Sequence, residues 1–224
     1  MTIGDFRPDG GGPRYFGVYP AIVTSIVKDD ENLGRIEVKF PWLGKDGQKV
    51  RALATLCTPY ADDDQGFEIL PAVDSQVVVA FEAGDLQRPY IIGSCWNGKE
   101  KQPQKPEVAN NKRLIKTRAK TLLEFDDTQG KAKVTLSMED GSGHSFVLEQ
   151  SPPTITLNHK NGSFIKIESS GNITIFAQGT LLLHASSVTV DSPSTTHSGS
   201  ITCMAHTATS VTSPLYSQGA GQIW

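Results

Sequence analysis

Between Ile155 and Val188, apolar phrases begin at positions 10, 8, 8 and 7 residues apart: Ile155-Thr156-Leu157, Ile165-Lys166-Ile167, Ile173-Thr174-Ile175, Leu181-Leu182-Leu183 and Val188-Thr189-Val190. In most of them the middle residue is polar, which is the alternation of a strand with one wet face. Gly162, Gly171 and Gly179 stand near the turns. Val134-Thr135-Leu136 and Phe146-Val147-Leu148 precede the run, and Ile201-Thr202-Cys203 follows it. A period this short holds one strand and one turn, with no room for a helical crossover, so it predicts stacked short strands in a β-solenoid or β-prism. Strands of about five residues cannot enclose a core within one chain. The repeat therefore predicts three chains winding around a common axis as a homotrimer. The inward side chains would be Ile155, Ile165, Ile167, Ile173, Ile175, Leu181, Leu183, Val188 and Val190. At ~4.7 Å per strand, roughly ten such segments make a shaft on the order of 45 Å long.

The first half is patterned differently. Val18 to Ile26, Ile36 to Phe40, Ala52 to Leu56, Gln76 to Phe81 and Tyr90 to Ser94 read as five short strands separated by polar and Gly-rich turns. Five is the strand count of a small Greek-key barrel. Pro41 ends the second strand by removing a ladder donor. A Pro- and Lys-containing linker then separates the two periodicities. The expected division is an arm at 1–14, a barrel at 15–98, a basic linker leading to the shaft at 99–120, the shaft at 121–191, and a Ser/Thr-rich distal shaft and tip at 192–224.

Charge and chemistry exclude more than they suggest. The net charge is -3 over 224 residues, so bulk nucleic-acid binding is not indicated. The one basic block, Lys99 to Lys120, lies between two acidic parts, and the barrel aromatics are not interleaved with Lys or Arg. An OB-fold that binds nucleic acid is the alternative this block raises, and no nucleic-acid partner is expected. Cys57, Cys95 and Cys203 show no Cys-x-x-Cys spacing, so neither a disulfide framework nor a thiolate zinc site is expected. Met1 to Arg14 carries no apolar core, and synthesis in the cytoplasm without a signal peptide is expected. Asp62-Asp63-Asp64, Asp126-Asp127 and Glu139-Asp140 sit in turn contexts and read as loop and turn formers rather than as calcium ligands or a catalytic pair. No Gly-x-Ser-x-Gly, His-Glu-x-x-His or Walker sequence is present, and the expectation is a protein that is not an enzyme.

Three phrases carry a family resemblance. They are Gly34-Arg35-Ile36-Glu37-Val38-Lys39-Phe40-Pro41-Trp42, the stretch from Leu70-Pro71 to Gly84-Asp85, and Arg88-Pro89-Tyr90-Ile91-Ile92-Gly93-Ser94-Cys95-Trp96-Asn97-Gly98. In order and spacing they resemble the OB-fold barrel of VgrG and phage baseplate spike proteins, where a strand ends in Phe-Pro-Trp and the barrel closes with Gly-Ser-x-x-Asn-Gly. Thr121 to Gly130 resembles the point where such a chain enters its needle.

The resemblance implies an all-β protein, an OB-fold collar followed by an intertwined trimeric β-helix, acting as the central spike of a contractile tail. Phe40, Pro41, Trp42, Leu70, Pro71, Gly93, Trp96, Asn97 and Gly98 would shape the collar. The barrel begins near Arg14, which resembles the split form, phage baseplate assembly protein V, whose hub is a separate protein. Assembly into a tail baseplate and transient contact with a target envelope follow from it. Some phage spikes bind iron at the tip through His-x-His. This chain lacks that motif, leaving His197, Cys203 and His206 as weak metal candidates and no cofactor expected. Ile223 and Trp224 would then contact a PAAR-like conical cap.

Overall fold

Ile36-Glu37-Val38-Lys39-Phe40 alternates so strictly that only one face can enter a core, and Ile36, Val38 and Phe40 are buried. The computed structural model describes residues 13–210, apart from 32 and 48, together with residue 212. The expected tip residues Ile223 and Trp224 lie outside the described residues. The chain is all-β with almost no helix.

Five strands close into a barrel in the order β1-β2-β3-β7-β6. They are β1 (Val18–Ser25), β2 (Ile36–Lys39), β3 (Arg51–Leu56), β6 (Gln76–Phe81) and β7 (Pro89–Ser94). All neighbours are antiparallel except β3 and β7, whose parallel pairing of Thr55 with Tyr90 and Leu56 with Ile91 closes the ring. Closure leaves no open strand edge, which makes a small barrel stiff. Ala21, Val23, Ile36, Val38, Phe40, Ala54, Val77, Val79 and Ile91 fill it. β6 and β7 slip register between Val78 and Val79, where Gly93 pairs with Val78 and Ile91 with Val79. The extra residue, Ile92, is a bulge, and Gly93 beside it is a residue type that tolerates one.

The Phe-Pro-Trp phrase turns the chain under the barrel. Pro41–Leu43 form a single 3₁₀ turn, which swings Trp42 back onto Tyr19 at 4.7 Å between ring centres and Tyr15 at 5.2 Å. Phe40 and Phe81 complete this aromatic floor. The segment before β1 is tied across it: Tyr15 N–H donates to the Gly84 carbonyl at 3.0 Å, and Arg14 donates to the Ala83 carbonyl at 2.7 Å. Gly84 has φ +79°, and a Cβ there would come within 3.1 Å of Arg14 and Tyr15. Its lack of a side chain permits both the turn and the close crossing.

The acidic run Asp62-Asp63-Asp64 forms the tip of a small hairpin between β4 (Ala61–Asp62) and β5 (Gln65–Gly66). Beyond the barrel, Asn97 Oδ1 accepts from Lys99 N–H at 3.0 Å, and Gly98 has φ +91°. The Asn-Gly pair is therefore the turn by which the chain leaves the barrel. Leu70 and Trp96 are exposed, and Pro71 is half-buried.

The remaining strands form one antiparallel meander in the order β14-β13-β12-β11-β10-β9-β8. They are β8 (Lys112–Lys116), β9 (Thr121–Asp126), β10 (Lys133–Met138), β11 (Ser145–Gln150), β12 (Pro153–Asn158), β13 (Phe164–Ile167) and β14 (Ile173–Phe176). The end of the basic stretch expected as linker thus pairs as β8. The phrases at Leu181–Leu183, Val188–Val190 and Ile201–Cys203 form no strand within one chain, so the single-chain sheet ends at Phe176. Six strand spacings give it a length of roughly 28 Å, shorter than the shaft expected from every apolar phrase.

One ion pair pins the β1–β2 connection. Asp29 accepts from Arg35 Nη2 at 2.7 Å and Nε at 3.2 Å, and from the backbone N–H groups of Leu33 and Arg35. Its side chain is only 6% exposed. The Arg35 guanidinium first, then the Arg35 and Leu33 amides, hold its carboxyl well below the usual carboxylate range. Folding thus favours the ionised form, so its contribution is full above about pH 4 and is lost as the pH falls through the lower folded value. An Asp29→Asn chain should melt below wild type at neutral pH, with the gap narrowing below about pH 4 in thermal scans. A gap that ignores pH would contradict this role.

Candidate functional site

Residues directly opposite in an antiparallel sheet point to the same face, so the register alone shows what each face carries. One rung runs Ile115, Leu123, Leu136, Phe146, Leu157, Ile165, Ile175 from β8 to β14. The next runs Arg113, Phe125, Val134, Leu148, Ile155, Ile167, Ile173. Apart from Arg113 at the edge, both rungs are wholly apolar. The reverse face carries Leu114, Glu124, Thr135, Val147, Thr156, Lys166 and Thr174 in one rung. It is also where Lys112 pairs with Glu124 at 3.3 Å and Lys166 with Glu168 at 2.8 Å.

The turns fix this register. Asp126 Oδ1 accepts from the Thr128 hydroxyl at 2.6 Å and N–H at 3.0 Å, and Asp140 Oδ1 accepts from Ser142 N–H at 2.8 Å. These hydrogen bonds, led by the side-chain ones, hold both carboxyls below their ordinary range. The carboxylates are bound up in turn formation, as their sequence contexts indicate. Asn161 does the same after β12, its Oδ1 accepting from Ser163 N–H at 2.9 Å.

The apolar rungs are exposed. Ile173 is 65% exposed, Ile175 54% and Leu157 50%, and Leu122 on the reverse face is the only hydrophobic side chain of the sheet, among the described residues, that is buried. Thirteen apolar side chains thus lie side by side on one face, a contiguous patch of the kind that marks an interaction surface.

Ile155, Ile165, Ile167, Ile173 and Ile175, named from the repeat alone, are brought together on this face. Leu181, Leu183, Val188 and Val190 are exposed and belong to no strand of the single chain. The rungs continue backwards through Leu148, Phe146, Leu136 and Val134, whose phrases the sequence marks as strands without assigning them inward, and through Phe125, Leu123 and Ile115. Their signal was the same alternation, less regular because the early turns vary in length. His197, Cys203 and His206 are exposed, and among the described residues no three His, Cys, Asp or Glu side chains come together as metal ligands.

Residues 19–96 match the family described as the type VI secretion system/phage-baseplate injector OB domain, which is the barrel just described. Over part of its length the chain is similar to VgrG proteins. It is 28% identical over 120 residues to the type VI secretion system spike protein VgrG3 of Vibrio cholerae, covering 53% of this chain and 11% of that protein. It is 23% identical over 163 residues to the actin cross-linking toxin VgrG1 of a second Vibrio cholerae strain, covering 70% of this chain and 14% of that protein. The chain thus spans a small fraction of the length of both relatives.

If the two rungs are covered in the assembled protein, a charge on them is buried and a charge on the reverse face is not. Ile173→Asp or Ile175→Asp should lower stability by at least ~3 kcal/mol and prevent assembly, whereas Thr174→Asp should change it by no more than about 0.5 kcal/mol. Size-exclusion chromatography and thermal melts of the three variants measure this. A more damaging Thr174→Asp would invert the assignment of faces.

Proposed function

We propose that this chain is the central spike of a contractile injection apparatus, of phage, tailocin or secretion-system type, and that it works as a homotrimer. The observation that carries the reading is the pair of apolar rungs left uncovered behind a barrel of the injector OB family. Three copies packed around one axis place these rungs in a shared interior and leave the ion-paired reverse faces to water. A stripe two residues wide suits the side of a narrow prism. In that arrangement Leu181, Leu183, Val188 and Val190 find strand partners in neighbouring chains, which extends the needle past Phe176.

Mechanism follows from stiffness. A contracting sheath drives its tube forward, and a trimeric prism at the front concentrates the force on a small area of the target envelope. The barrel serves as the collar through which the needle attaches to a hub protein, and a PAAR-like cap seats at the far end. The chain's place is then the tail or injection apparatus. No helix among the described residues is long and apolar enough to cross a membrane, so membrane passage in this scheme is mechanical.

The nucleic-acid alternative is less well supported. Lys112, Arg113 and Lys116 of the basic block are paired with Glu124, Asp127 and Glu139 in the sheet. Such pairing spends on sheet register the charge that phosphate binding would need.

Native mass measurement tests the assembly. The account expects three times the 24.2 kDa chain at micromolar concentration and no dependence on added nucleic acid. A stable monomer, or a dimer, would contradict it.

A further inference from the structure

The strand ladder that aligns the apolar rungs also brings together two histidines that lie 15 residues apart in sequence. His144 ends the β10–β11 turn and His159 follows β12. Ser145 and Asn158 are the last paired residues between these strands, and the histidines extend that pairing by one step. Their ring centres are 4.5 Å apart, with planes inclined by 44°. Just inside them, Asn158 Nδ2 donates to Ser145 Oγ at 3.1 Å, tying the two strands at the base of the pair.

His159 is anchored at Nδ1. Its Nδ1 lies 2.7 Å from Asn161 Oδ1, which also receives Ser163 N–H at 2.9 Å, and Asn161 N–H lies 3.3 Å from the same nitrogen. In the tautomer that donates from Nδ1 to Oδ1, the lone pair of the neutral ring is on Nε2. A ring nitrogen donating to an amide oxygen while the other faces outward is how metal-binding histidines are oriented. His159 is exposed and His144 half-buried, and both line a concavity of about 610 Å³ on the apolar face.

We propose that His144 and His159 form a two-imidazole site for a borderline divalent transition metal, with zinc and nickel the best fits and water filling the other positions. Two imidazole nitrogens bound tetrahedrally at 2.0–2.1 Å lie roughly 3.4 Å apart, and rings whose centres are 4.5 Å apart can bring one nitrogen each to that spacing by rotation about their side-chain bonds. Imidazole selects such metals over calcium and magnesium, which need oxygen ligands. Both ligands come from one chain, but they lie at the border of the face that the proposed trimer covers, so zinc binding and assembly share that surface. It is distinct from the His197, Cys203 and His206 positions considered from sequence.

Titration of the metal-stripped full chain with zinc chloride, followed by calorimetry, tests the site. One zinc per chain is expected. His144→Gln or His159→Gln should abolish that event, and Asn161→Ala should weaken it by about 10-fold or more. A His184→Gln/His197→Gln/His206→Gln chain should bind as wild type does. Zinc should also raise the melting temperature of wild type and of that triple variant. No binding by wild type, unchanged binding by the His144→Gln/His159→Gln chain, or loss in the triple variant would each overturn the proposal. Native mass of the zinc-free chain reports the assembly separately from these outcomes.

Discussion

Strict in-register pairing of short antiparallel strands is the constraint from which the rest of the second half follows. Because opposed residues share a face, one turn of the wrong length anywhere between Lys112 and Phe176 would send an apolar rung to the polar side. The turn carboxylates Asp126 and Asp140 and the amide of Asn161 keep that from happening. What results is a cleanly sorted sheet. Its polar face is ion-paired, and its apolar face stays largely exposed among the described residues.

The barrel presents the opposite case. Its core is closed within one chain by the parallel β3–β7 pairing, and its aromatic floor is crossed by the segment at Arg14 and Tyr15 that passes Gly84. It folds on its own side chains, whereas the sheet leaves its apolar face exposed within one chain. In the proposed spike, a self-sufficient collar joined to an interface-dependent shaft would suit a part that binds a hub at one end and bears compression along its length. Stability of the shaft is then inseparable from assembly.

Much of this was legible in the sequence because alternation with period two survives in both halves. The barrel strands were readable from Ile36, Val38 and Phe40, or from Val77, Val79 and Phe81, since each buries its whole apolar face. Ile155 to Ile175 were readable as one face for the same reason. Other features required the register. The rungs formed by Ile115, Leu123 and Phe146 depend on turn lengths that a fixed period does not capture. The meeting of His144 with His159 depends on which residues two strands place opposite each other. The Leu181 and Val188 phrases mark the opposite limit: they are plainly apolar in the sequence, yet among the described residues they pair with no strand.

The coverage of the apolar face is the central claim, and thiol labelling tests it most directly. With Cys57, Cys95 and Cys203 replaced by Ser, single cysteines at Ile175 and at Thr174 stand on opposite faces of β14, and both positions are exposed in the isolated chain. In native protein at micromolar concentration, Ile175→Cys should label at least about 10-fold more slowly than Thr174→Cys, and the difference should vanish in denaturant. Equal rates under native conditions would mean that the face stands open to water, and the spike account would fail.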